Sequence, residues 1–168
     1  MERGTLALVE AEPPPPIAGV TTEAHILWQM TLERLTEGHS FPFTVVPLTD
    51  ADGPEMLKLA SLAKPGPFYA RTHELGAFVG IRHDGLLIAM AGERMKLEGY
   101  TEVSGVCTVS SHRGRGYGGA LVRAVAGQIL ARGEMPFLHS YACNEAAIGL
   151  YRTLGFKFRR EMHMHLLT

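Results

Sequence analysis

A chain of 168 residues, 46% of them hydrophobic, can bury one substantial core, and its length favours a single compact unit with at most an appendage. Sixteen Lys and Arg nearly balance seventeen Asp and Glu for a net charge of −1, which argues against the basic footprint of a nucleic-acid or anionic-membrane binder. No apolar run approaches the roughly 20 residues of a membrane helix, MERGTLALVEAEP lacks a signal-peptide core, and two cysteines without CxxC spacing argue against a disulfide framework or zinc site, so a reduced, cytoplasmic protein is expected.

In chain order, residues 1–20 read as an arm whose run Pro13 to Pro16 favours an extended polyproline segment. From Thr22 to Gly38, the apolar residues Ile26, Leu27, Met30, Leu32 and Leu35 are spaced for an amphipathic helix, able to cover the core or a second copy of the chain. TVVPL reads as a short strand, and Asp50 to Asp52 open a helix through Met56, Leu59 and Leu62 that Pro65 and Pro67 end. GAFVGIR, the turn HDG and LLIAMAGERM form a hairpin, because Asp-Gly is the strong two-residue turn signal, and YTEVSGVCTV adds a third strand. A helix over Gly116 to Ala131, a strand at PFLHSYA, a helix over Asn144 to Leu154 and a last strand at GFKFRREMHMHLL complete the chain. The middle is antiparallel and the second half alternates strand with helix, so the expected fold class is α/β in the mixed, α+β-like sense: a central mixed sheet flanked by helices.

Between the strand ending at Val109 and the next helix lies SSHRGRGYGG. Gly114, Gly116, Gly118 and Gly119 remove side chains where a ligand must approach the backbone. Unpaired N–H groups at the helix start, aided by the dipole, point at an anion, and Arg113 and Arg115 add forked donors suited to phosphate oxygens. A diphosphate is the expected ligand. Gly114, Gly116 and Gly119 also satisfy GxGxxG, but a dinucleotide fold needs that loop after its first strand with a long doubly wound sheet beyond it. A mononucleotide loop needs GxxxxGK[ST], which is absent.

With Arg113, Gly116 and Gly118 in place, the loop resembles the coenzyme A signature of the GNAT superfamily of N-acetyltransferases. NEAAIGLYRTLGF resembles that superfamily's closing helix and strand, and TEVSGVCTVSSHRGRGYGGALV is similar to a bacterial branch of predicted acetyltransferases. The resemblance covers roughly residues 43–168; Ser111 stands where many members have Pro. It implies an N-terminal arm and helical extension over 1–40 and a GNAT-like domain over 41–168. The implied reaction is transfer of an acetyl group from acetyl-CoA to a primary amine by direct attack on the thioester, without a metal.

By the same resemblance, the loop from Arg113 through Gly114, Arg115, Gly116, Tyr117 and Gly118 to Gly119 would bind the coenzyme's pyrophosphate. The backbone of Val106, Cys107, Thr108 and Val109 would pair with its pantetheine arm, as a ligand completes an opened strand edge, and the N–H of Val106 would stabilise the oxyanion. Tyr151 would protonate the departing thiolate, and Asn144 would touch the ligand while also capping its helix. Glu102 stands at the offset of a glutamate that deprotonates the amine through water. Strand alternation puts Glu102, Ser104, Val106 and Thr108 on one face, so Glu102 is either a cleft-facing base or a solvated strand charge. Met90, Met95, Trp28 and Tyr141 are candidates for an acceptor pocket; core packing explains them equally. His163 and His165 share a strand face without a third ligand, a poor metal site, and Cys107 has no paired histidine to make it a nucleophile.

The expected partner is a small-molecule or peptide amine, with neither nucleic acid nor membrane, in a chain that forms a homodimer if its N-terminal helix is used for that. The alternative reading is a non-catalytic acyl-CoA binding or sensing module, and a hydride-transferring dinucleotide enzyme stands third.

Overall fold

The computed structural model describes residues 6–15, 18–38 and 42–167. The start of the arm, the last proline of its Pro run and the junction expected at residue 40 lie outside these. Eight strands form one sheet: β1 (Leu6–Glu10), β2 (Thr22–Thr31), β3 (Val46–Leu48), β4 (Phe78–His83), β5 (Leu86–Leu97), β6 (Tyr100–Thr108), β7 (Met135–Tyr141) and β8 (Lys157–Leu167). Their spatial order is β1-β8-β2-β7-β6-β5-β4-β3. Every neighbouring pair is antiparallel except β6 with β7. Three helices flank the sheet: α1 (Gly53–Ala63), α2 (Tyr117–Ala131) and α3 (Glu145–Leu154). None of the described helices is long and apolar enough to cross a membrane.

Local chemistry accounts for most of these boundaries. Asp84 and Gly85 both adopt positive φ, 49° and 79°, the twist that a two-residue hairpin loop requires between β4 and β5. Before α1, the carboxylate of Asp52 accepts the backbone N–H of Thr49 at 2.8 Å and its hydroxyl at 2.9 Å. The helix stops at Lys64, which turns left-handed (φ 50°) and returns its N–H to Ala60 O just ahead of Pro65.

The segment from Thr22, expected as an amphipathic helix, is instead strand β2. It is an interior strand, paired with β7 on one side and β8 on the other; its first half is largely exposed, and in its second half Leu27 and Met30 are buried on opposite faces. Leu27 faces the ligand cleft while Met30 joins the main core. Two-sided burial erases the period of two, and Leu27 and Met30, three apart, then imitate helical spacing. The helix expected to support a dimer is therefore absent, and part of the expected arm is β1, an edge strand hydrogen-bonded to β8.

The core lies in two layers. One face of the sheet packs on α2 and α3 through Val103, Leu121, Val125, Ile129, Tyr151 and Leu154. The other packs on α1 through Met56, Leu59, Phe78, Met90 and Cys107.

Candidate active site

A β-bulge in β6 sets the geometry of the site. Cys107 pairs with Met90 and Ser104 with Gly92, so β6 spends three steps where β5 spends two. The extra residue falls at Gly105–Val106, and Gly105 takes φ 62°, with the Phe78 ring 2.9 Å from where a Cβ would stand. The bulge reverses the alternation beyond it. Cys107 therefore shares the α1 face with Phe78 and Met90, while Val106 packs with Val103 against the α2 layer. This corrects the expected grouping of Glu102 and Ser104 with Val106 and Thr108, which assumed an unbroken strand.

Strands β6 and β7 then part. Their parallel pairing comprises Tyr100↔Met135, Thr101↔Pro136 and Glu102↔Phe137 and goes no further, although both strands continue. The wedge between them opens into a cleft of about 660 Å³, lined by the β6 residues Glu102 to Thr108, by His139 to Tyr141 of β7, by the glycine-rich loop and by α3. Val109 does not line it. Its N–H is given to Ile88 O at 2.9 Å, so that donor is already used by β5. Because bonded and non-bonded pairs alternate along an antiparallel ladder, Cys107 also turns its amide to β5, whereas Thr108 turns its own toward the wedge. The bond from Arg113 Nε to Thr108 O, 3.2 Å, agrees with that direction.

At the far end of the wedge, Ser110–His112 form a 3-10 turn and Gly116, at φ 89°, precedes the first turn of α2. That N-terminus carries neither a side-chain cap nor an acidic residue in its first turn. The N–H groups of Tyr117, Gly118 and Gly119 are thus left for an external acceptor. Arg113, Gly114, Gly116, Tyr117, Gly118 and Gly119 all line the cleft, whereas Arg115 does not and gives its guanidinium to Ser111 O at 3.3 Å. Asn144 caps α3 by accepting from Ala147 N at 3.2 Å and also lines the cleft. Tyr151 reaches the same space from α3, packed against Phe156, and burial pushes its phenol up to about 12.

Glu102 faces the cleft side but is not solvated: only 1% of its side chain is exposed. Arg94 holds it side-on, with Nε at 3.0 Å from Oε2 and Nη2 at 3.2 Å from Oε1, and His139 Nδ1 lies 2.9 Å from Oε1. Burial alone would raise the carboxyl's pKa, but the His139 hydrogen bond and the Arg94 guanidinium outweigh it and hold it below the ordinary value. His139 is fixed in turn by Gln29, whose Nε2 lies 3.0 Å from His139 Nε2 and whose carbonyl accepts from Arg159. Arg94, His139 and Gln29 carry no motif, and sequence reading passed over them. The signals available were a polar residue inside the apolar strand PFLHSYA and an arginine on the hairpin partner of Glu102's strand.

Of the acceptor-pocket candidates, Tyr141 lines the cleft. Met90 is sealed in the α1 core, Trp28 packs on Phe158 at 4.9 Å between ring centroids, and Met95 is not among the lining residues. Cys107 lines the cleft, but burial pushes its thiol up to about 12, far from a nucleophile at neutral pH. Among the described residues no group of three or more metal-ligating side chains converges.

A parted pair of parallel strands leads to an uncapped, glycine-lined helix start, so the cleft offers an open strand edge along its length and unpaired helix N–H groups at its end. Comparison with known proteins gives the family. A family model for FR47-like proteins matches residues 78–164. The N-alpha-acetyltransferase RimI of Mycobacterium tuberculosis (strain ATCC 25618 / H37Rv) is 32% identical over 129 residues, spanning 69% of this chain and 79% of that protein. A crystal structure from Novosphingobium aromaticivorans DSM 12444, assigned to the GNAT family of acetyltransferases, superposes with a TM-score of 0.90 at 45% identity, covering 97% of this chain and 73% of that one. The ribosomal-protein-S18-alanine N-acetyltransferase of Escherichia coli shares the fold, with a TM-score of 0.62 at 22% identity over 74% of this chain and 91% of that one. The chain belongs to the GNAT superfamily of acetyltransferases, and it is an acyltransferase enzyme.

Proposed function

We propose that this enzyme moves an acetyl group from acetyl-CoA to a primary amine in one direct step. The observation that carries the reading is the wedge between β6 and β7 running into the uncapped start of α2. Pantetheine amides complete the opened edge of β6 at Val106 and Thr108, and the diphosphate takes the N–H groups of the loop with Arg113 beside it. In the reaction the amine nitrogen bonds to the thioester carbon. The oxyanion that forms is met by the backbone N–H of Val106 at the bulge. The carbon–sulfur bond then breaks, and the leaving thiolate takes a proton from the Tyr151 phenol.

Glu102 is a poor base in this scheme, because three bonds from Arg94 and His139 occupy its oxygens and its pKa is lowered. It holds Arg94 and His139 in place, and the amine loses its proton to water in the cleft. A cytosolic setting completes the reading and is supported by the free state of Cys107 and Cys143.

Calorimetric titration with acetyl-CoA, combined with thiol release in the presence of amines, tests the proposal. Wild type should bind, while Arg113→Ala and Gly116→Asp should each weaken binding by about tenfold or more through lost charge-assisted bonds. Unchanged affinity in both variants, with the fold intact, would remove the coenzyme from this site. Binding without thiol release for any amine would overturn the transfer step.

A further inference from the structure

The acceptor end of the cleft has an electrostatic character that narrows the amine, assuming the acetyl-transfer reading above. Beyond the bulge, its walls are the loop after α1, with Lys64 and Phe68, and the strand residues Leu27 and Tyr141. Glu102 is the single acidic residue among the described lining residues, and Arg94 already neutralises it. Glu23, near Tyr141, is turned to His25 at 2.9 Å. Glu23 is not part of the lining, so no unpaired carboxylate lines the cleft among the described residues.

Positive charge, by contrast, is available there. Arg94 spends Nε and Nη2 on Glu102 and leaves Nη1 with only the Pro67 carbonyl at 3.5 Å, a weak contact. A quarter of its side chain, 25%, remains exposed. Lys64 makes no ion pair within the described residues and lines both this cleft and the adjoining hollow of about 330 Å³ that Tyr69 and Tyr141 share. With Arg94 and Glu102 cancelling, Lys64 leaves this space net positive, and a polyamine or aminoglycoside would add several further positive charges with no free carboxylate among the described lining residues to meet them. An amine that also carries a carboxylate would find Lys64 and the spare edge of Arg94.

We propose that the acceptor is a free α-amino acid with an apolar side chain. Its carboxylate lies between Lys64 and Arg94, its side chain rests on Phe68, Leu27 and Tyr141, and its amine is directed toward the thioester. The reaction is unchanged: the nitrogen–carbon bond forms, the carbon–sulfur bond breaks, the amine proton leaves to water and the thiolate is protonated.

The test measures thiol release at saturating acetyl-CoA with leucine, leucinamide, a leucyl tripeptide and spermidine, for the wild type and for Lys64→Glu. Leucine should exceed leucinamide by about tenfold or more in kcat/KM, the size of one charge-assisted contact, and exceed the tripeptide and spermidine by at least as much. In Lys64→Glu the ratio of leucine to leucinamide should fall toward one, and its acetyl-CoA affinity reports whether the fold is intact. Leucinamide, the tripeptide or spermidine matching leucine would overturn the amino-acid assignment while leaving acetyl transfer to an amine standing. Absence of release with every amine, despite acetyl-CoA binding, would overturn both.

Discussion

Glu102 and His139 face each other across the wedge, Oε1 to Nδ1 at 2.9 Å, joining β6 to β7 by a side-chain bond where the backbone ladder has ended. The direction of the bond follows from its neighbours. Arg159 donates to the Gln29 carbonyl, so the Gln29 amide presents its N–H to His139 Nε2, and the imidazole proton sits on Nδ1 and is donated to Glu102. The pair serves as a clamp at the apex of the cleft.

Glu102→Gln should therefore destabilise the fold by about 3 to 5 kcal/mol, the cost of leaving one partner of a buried pair uncompensated. The sign with pH follows from its lowered pKa. Stability from Glu102 is complete above the ordinary carboxylate value of 4.5 and is lost as pH falls through the lower folded value. Chemical denaturation at pH 7 and again near pH 3 should show the gap between wild type and variant shrinking in acid. An equal gap at both would deny the ionised clamp.

Under the proposed mechanism, in which the phenol acts on the leaving sulfur and adds little to ground-state binding, Tyr151→Phe should lower kcat by about a hundredfold while acetyl-CoA affinity stays within about twofold. Because burial pushes this phenol up to about 12, the wild-type profile should show no loss of the acid form up to about pH 10. A basic limb near pH 8 that Tyr151→Phe abolishes would contradict this environment.

The two cysteines should separate by alkylation. Cys107 is buried with a thiol pushed up to about 12, whereas Cys143 is exposed. Mass spectrometry after brief maleimide treatment at pH 7.5 should find Cys143 modified and Cys107 modified only once the chain is unfolded. Rapid native labelling of Cys107 would mean that the β6 face is open to solvent.

Gly105→Ala tests the bulge. At φ 62° an alanine costs about 1 to 2 kcal/mol, and its Cβ would also stand 2.9 Å from the Phe78 ring. A lower thermal midpoint together with weaker acetyl-CoA binding is expected. Full affinity in a destabilised variant would show that the bulge does not set the Val106 amide.

Much of this arrangement is legible from residues alone, for reasons that differ by element. The hairpin at Asp84–Gly85 and the glycine-rich start of α2 declare themselves because positive φ and exposed amides demand particular residues. Strand β2 misleads because Leu27 and Met30 are buried on opposite faces, which removes the alternation by which strands are recognised. The bulge in β6 is equally silent. Gly105 marks it only in hindsight, and a single extra residue there exchanges the faces of everything up to Thr108. The surroundings of Glu102 depend on three other strands, and no spacing along one segment encodes them.

The brevity of the β6–β7 ladder has a mechanical consequence. Among the described residues the ladder between β7 and β6 comprises three residue pairs, with the Glu102–His139 bond beside it, so within the sheet the panel of β1, β8, β2 and β7 meets the panel of β6, β5, β4 and β3 at a short seam. A ligand lying in the wedge as proposed would supply the missing amide partners and turn two panels into one continuous sheet. Amide hydrogens along β6 and β7 should then exchange far more slowly with ligand present, and the two panels should open separately when empty and together when filled.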